Sequence, residues 1–137
     1  MTERKNAMRA FLSIKFCGDN RNKEHVEAVI SAITSAGFEV FCFMRDAEKW
    51  GTERFTPEEM MKKTFTEIDN SDIVIADVAD WPIGVGVEAG YSYAKGIPVI
   101  CICPAKKSLA NTVAGIANKV VRYIDYNDLK RQSSAWL

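Results

Sequence analysis

The chain is poor in histidine, short of proline and without excess charge of either sign: it has one histidine, four prolines and 18 Lys+Arg against 18 Asp+Glu. A lone imidazole, His25, leaves a multi-histidine metal site or a histidine-dependent triad without its parts, so no metal and no cofactor is expected. Balanced charge leaves no positive field to hold a polyanion by counterion release, which sets nucleic acid polymers aside. No stretch approaches the roughly 18 apolar residues that a membrane-spanning helix needs, and no membrane partner is expected. Residues 1–6 carry charge but have neither an apolar h-region nor a small-residue cleavage site after them, so a soluble, cytoplasmic protein is expected. The four cysteines, Cys17, Cys42, Cys101 and Cys103, form no CxxC pair, and three lie in apolar runs. They read as small buried hydrophobes in a reducing compartment.

What is present is material for one domain, residues 1–137, with 47% hydrophobic and 26% charged residues, the balance of an ordinary folded chain. Residues 10–16 form an aromatic, β-branched run ending at the turn formers Cys17-Gly18-Asp19-Asn20, which predicts a first strand and its exit loop. Val26, Val29, Ile30 and Ile33 recur at helical spacing, with His25 on the polar side and Gly37 placed as a C-terminal stop. Residues 38–44 read as a second strand, and 45–54 as a charged loop. Thr56-Pro57-Glu58-Glu59 combines a capping hydroxyl, proline at the first helical position and a glutamate closing the capping box, so a helix begins there, with Met61, Phe65 and Ile68 on one face. Residues 72–77 are nearly all apolar, the pattern of a strand covered on both sides. A helix through residues 84–95, a strand at 97–102, a helix at 109–117, a strand at 120–124 and a polar tail around 128–134 complete the order.

Strands alternating with helices at this spacing require right-handed crossovers. The fold class expected is α/β: a single doubly wound, flavodoxin-like, five-stranded parallel sheet with helices on both faces. Ligands of such sheets bind beyond the carboxyl ends of the strands where the strand order reverses, here between strands one and three. That places a site at the loops after Phe16 and Asp77. Glu88 lies just past the second of these, at a helix start whose positive end favours an ionised carboxylate, and Gly84 and Gly86 let backbone come close to a ligand. A carboxylate there suits displacement at an acetal-like carbon, whose oxocarbenium-like transition state an anion stabilises.

The segment Gly-Val-Gly-Val-Glu-Ala-Gly-Tyr (84–91), following Ile-Asp-Asn-Ser-Asp-Ile-Val-Ile-Ala-Asp (68–77) and preceding Tyr-Ala-Lys-Gly-Ile-Pro (93–98), resembles the nucleoside 2-deoxyribosyltransferase family, which includes nucleoside-monophosphate N-glycosidases. The resemblance implies that Glu88 is the nucleophile that attacks the anomeric carbon and releases the base, to be relieved by another base or by water. It also marks departures. A tyrosine that holds the nucleophile in the family aligns with Phe11, an assisting aspartate with Thr64, and a sugar-contacting polar residue with Pro82. Asp46, Asp77 and Asp80 are candidate replacements for reaching a sugar hydroxyl or the leaving base. Trp50 and Trp81 are candidate stacking surfaces for a base.

Ser13 and Lys15, at the end of the first strand, are further candidate binding residues. Phosphate-accepting members of the family hold a 5′-phosphate with this exit loop, and Lys15 or Arg21 is the positive partner available, with Asp19 opposing. In the family the loop corresponding to 104–111 crosses into a partner's site, which nominates Ser108 and Asn111 and implies a homodimer or higher homo-oligomer. The expectation is therefore an enzyme cleaving the N-glycosidic bond of a (deoxy)nucleoside or its monophosphate. The rival is a non-catalytic module of the same fold that holds such a ligand. A response receiver lacks support, because the first strand ends in Phe16-Cys17 where acids are needed.

Overall fold

The computed structural model describes residues 7–80 and 82–136. Trp81, one of the two proposed stacking residues, lies outside the described residues. In chain order the elements are β1 (Arg9–Ser13), α1 (Lys23–Ser35), β2 (Glu39–Phe41), α2 (Phe43–Asp46), α3 (Pro57–Asp69), β3 (Ile73–Asp77), α4 (Ile83–Ala94), β4 (Val99–Pro104), α5 (Asn111–Ala114), β5 (Lys119–Tyr123) and α6 (Tyr126–Ser133), with a final 3-10 turn at Ser134–Trp136. The strands form one sheet in the order β2-β1-β3-β4-β5, and every pairing is parallel. This is the doubly wound α/β sheet expected from the sequence.

Side-chain alternation divides the core in two. Ala10, Leu12 and Ile14, with Ile73, Ile75, Ile100 and Ile102, pack against Val26, Val29 and Ile33 of α1 and Leu129 of α6. Phe11, Val74, Ala76, Cys101 and Cys103 face the other way, onto Ile68 of α3 and Val85 and Ala89 of α4. The reversal of strand order between β1 and β3 therefore sends the loop after β1 toward one layer and the loop after β3 toward the other. Cys42, Cys101 and Cys103 are buried, Cys17 is partly exposed, and all four are free thiols. Among the described residues no helix is long and apolar enough to cross a membrane.

The capping box stands as read: Thr56 Oγ1 accepts from Glu59 N–H at 3.2 Å and Glu59 Oε1 from Thr56 N–H at 2.9 Å. Gly37, at φ 113°, supplies the left-handed residue after α1. Three expectations are corrected. The second strand ends at Phe41, because the Asp46 carboxylate accepts from Cys42 N–H at 2.9 Å and Arg45 donates to the Val40 carbonyl at 2.7 Å, bonds that wind residues 43–46 into a helical turn. The helix expected at 109–117 is only the turn α5. The polar tail is helix α6, started by Asp125, whose side chain accepts from Asp128 N–H at 2.8 Å, and anchored by the fully buried Leu129.

Candidate active site

Ser13 is the last residue of β1, paired with Ala76 of β3, and its side chain lies on the α4 side of the sheet. Its hydroxyl donates to Glu88 Oε1 at 2.6 Å. This hydroxyl stands two positions further along the same strand face than Phe11, where the family resemblance implies a tyrosine. Phe11 itself is buried and stacks on Phe41, ring centroids 5.7 Å apart.

Helix α4 begins at Ile83, so Glu88 stands in its second turn. The helix-end field fades within the first turn and does little for this carboxylate. Burial dominates: it raises Glu88 from 4.5 to about 7, and the Ser13 hydrogen bond only partly opposes it. This corrects the expectation of a carboxylate held ionised by the helix dipole. Near neutrality the group divides between acid and anion.

Glu88 opens on a cleft of about 650 Å³, within the range of small-molecule sites. Leu12, Lys15 and Gly18 from the β1 end, Thr64 from α3, and Pro82 and Gly84 from the start of α4 contribute to its lining. Phe43, Met44, Met60 and Met61 make an apolar wall. A Cβ built on Gly84 meets nothing within 4 Å, so internal packing does not demand the glycine there; what it leaves bare is helix backbone at the cleft.

Other candidate residues lie elsewhere. Asp77 and Asp80 line a second cleft of about 740 Å³ on the α1 side, which shares Ile14 and Lys15 with the first. There Asp77 Oδ1 accepts from Ala79 N–H at 3.0 Å, and Asp77 Oδ2 is 3.3 Å from His25 Nε2. The same imidazole reaches the Tyr126 hydroxyl at 2.7 Å. His25, read as a polar-face residue, is thus bound into a side-chain network. Asp80 pairs with Lys107 at 3.3 Å.

Asp46 is occupied locally. Burial works to raise its carboxyl, but the Arg45 and Cys42 hydrogen bonds outweigh it and leave the group below the usual range. Trp50 packs against Phe16, ring centroids 5.5 Å apart, beneath Lys23 Nζ at 4.9 Å, and lines neither cleft. Gly86 lies within α4, and Asn111 is exposed at the start of α5; neither lines a cleft around Glu88. Sequence reasoning missed Glu48, which lines the Glu88 cleft from the turn after α2. Its signal was hidden in a stretch, residues 45–54, where six of ten residues are charged.

Fold and cleft together define the class: a doubly wound α/β protein with a partly buried carboxylate, held by a strand hydroxyl, at the switch point of its sheet. Within that class the chain belongs to the nucleoside 2-deoxyribosyltransferase family, whose model matches residues 12–127. The family acts on nucleosides and nucleotides. Among curated proteins, the chain is 24% identical over 125 residues to the "Putative 2'-deoxynucleoside 5'-phosphate N-hydrolase 1" of Thermofilum pendens, covering 89% of this chain and 87% of that one. It is 28% identical over 120 residues to the protein of the same name from Methanosarcina mazei, covering 86% and 74%. Two solved structures share the fold. A CMP N-glycosidase from Clostridium botulinum superposes with a TM-score of 0.67 at 20% identity, over 94% of this chain and 99% of that one. A 2-deoxyribosyltransferase from Bacillus psychrosaccharolyticus does so with a TM-score of 0.69 at 21% identity, over 89% and 90%.

Proposed function

We propose that this protein cleaves the N-glycosidic bond of a (deoxy)nucleoside 5′-monophosphate or the corresponding nucleoside, through a glycosyl ester on Glu88, and passes the sugar to water or to another base. The observation that carries this reading is the Ser13 hydroxyl donating to Glu88 Oε1 at 2.6 Å, beside a cleft of about 650 Å³. A serine that fixes one carboxylate oxygen leaves the other to meet the anomeric carbon. In the first half, Glu88 adds to C1′ as the C1′–N bond breaks and its electron pair leaves with the base. In the second half, water or a second base adds to C1′ and the ester bond breaks, returning the carboxylate. The apolar wall from Phe43 to Met61 suits the base, while Lys15 and the loop through Gly18 suit a phosphate. The names of the curated relatives, 2′-deoxynucleoside 5′-phosphate N-hydrolases, support a 5′-phosphate and water as acceptor.

Ile83 and Val87, 85% and 48% exposed on α4 beside the cleft, support assembly as a homodimer or higher oligomer. A second reading, a module that binds the ligand without turnover, is favoured by Thr64 and Pro82, which line the cleft where the family resemblance implies an assisting aspartate and a sugar-contacting polar residue. The deciding experiment incubates the protein with deoxyribonucleosides, ribonucleosides and their 5′-monophosphates and follows free base by chromatography. Base release that falls about 10⁴-fold or more in Glu88→Ala supports the enzyme. Release that survives the substitution removes Glu88 from the mechanism, and a thermal shift without release supports the module.

A further inference from the structure

A purine or pyrimidine is a poor leaving group as an anion, so cleavage at C1′ is accelerated when a proton reaches the base as the bond breaks. Thr64 and Pro82 have none to give. Among the described residues, the titratable side chains lining the cleft are Lys15, Glu48 and Glu88. Lys15 enters from the end of β1, whereas Glu48 lines the cleft together with the apolar wall where the base fits.

The backbone around Glu48 is held from several directions. Its N–H donates to the Phe43 carbonyl at 3.0 Å, and its carbonyl accepts from Gly51 N–H at 3.0 Å and Glu53 N–H at 2.9 Å. Trp50 N–H donates to the Met44 carbonyl at 2.7 Å. These bonds hold Lys49 and Trp50 at φ 49° and 58°, left-handed conformations that non-glycine residues adopt at a cost. The neighbouring acids are committed elsewhere, Asp46 to Arg45 and Glu59 to the capping box. Burial alone moves the Glu48 carboxyl, and it moves it upward.

We propose that Glu48 protonates the departing base and then takes a proton from the water that attacks C1′, an assignment that rests on Glu88 being the nucleophile. In the first half Glu88 bonds to C1′, the C1′–N bond breaks, and the Glu48 proton goes to the base nitrogen. In the second half water bonds to C1′, its proton returns to Glu48, and the C1′–O bond to Glu88 breaks. Both carboxyls then stand as they began. The productive state holds one proton on the pair. A base on the apolar wall desolvates Glu48 and keeps the proton there, while positive charge growing at C1′ favours the anion on Glu88.

The test compares the best-cleaved 2′-deoxynucleoside 5′-monophosphate with 7-methyl-2′-deoxyguanosine 5′-monophosphate, whose cationic base leaves neutral and needs no proton. In Glu48→Gln, single-turnover base release should fall about 10²-fold or more for the unmodified substrate and less than about threefold for the methylated one, with Glu48→Asp between wild type and Gln. In the wild type, the methylated substrate should gain rate as pH rises through about 7, where Glu88 ionises, and then level off, while the unmodified one should fall away from it as pH rises, because Glu48 loses the proton the base needs. Equal losses on both substrates in variants with unchanged unfolding midpoints, or no loss on either, overturn the role of Glu48. If Glu88→Ala releases base from the methylated substrate as fast as wild type, or wild type releases it from neither, the nucleophile reading fails first.

Discussion

Replacing Glu88 by glutamine should stabilise the protein by an amount that grows from about pH 4.5 to about 7 and is level above that. The carboxyl sits at about 7 in the folded state against 4.5 when solvated. A folded-state acid raised in this way contributes full stability below the unfolded value and loses it as pH rises through the folded one. At roughly 1.4 kcal/mol per pH unit, the gap is on the order of 3 kcal/mol by pH 8.5, as an upper limit. Glutamine keeps the shape and an oxygen to accept the Ser13 hydroxyl, yet never carries the charge. Thermal or urea unfolding of both proteins at pH 4, 6, 7 and 8.5 should give nearly equal stabilities at pH 4 and a Gln advantage of about 2–3 kcal/mol at pH 8.5, which is about 10 °C in Tm for a chain of this size. An advantage independent of pH, or a Gln variant less stable at pH 8.5, would refute the claim that burial governs this carboxyl.

Ser13→Ala removes the one hydrogen bond that favours the anion, so the rising limb for the methylated substrate should move up by about one pH unit, as read from a pH–rate profile. Leu129→Ala, in the helix hidden within a polar sequence, should cost about 2–5 kcal/mol in urea unfolding, because the side chain is fully buried against the α1 layer. Thr56→Ala removes the side-chain half of the capping box, leaving the residue-56 N–H on the Glu59 carboxylate, and should cost about 1 kcal/mol by the same measurement, with base release unchanged.

The sheet was legible because each strand is a short apolar run and each long helix repeats at i, i+3 and i+4. What escaped was structure made by polar atoms. Residues 38–44 read as one strand because Phe-Cys-Phe-Met has no period to divide it, and only Asp46 and Arg45 turning back on Cys42 and Val40 reveal where it ends. Helix α6 offers one apolar residue on its buried face; its other buried positions are Asp128 and Ser133, satisfied by backbone partners. In the site, the GxGxE segment brought out Glu88, and the end of the first strand brought out Ser13. The turn that carries Glu48 leaves little sequence pattern, since two of its three left-handed residues are a lysine and a tryptophan and only the third, Gly51, is a glycine.

Asp77 and Asp80 were read into the Glu88 crevice because they end and follow the strand beside it; Asp77 lies outside it because of the period of two along a strand, and Asp80, beyond the strand, pairs with Lys107. Ser13 faces α4 with Phe11, and Ala76 opposite it does the same. Asp77 comes one residue later and therefore faces α1, where His25 meets it. The register that pairs Ser13 with Ala76 sets a small side chain beside the serine, so the Glu88 carboxylate has room to reach its hydroxyl. A slip of β3 by one residue would carry Asp77 to the α4 side, opposite Ser13 and beside Glu88. Two carboxylates would then compete for one hydroxyl. The switch point of the sheet locates both clefts, and strand parity decides which of them receives the Ser13 hydroxyl that holds Glu88.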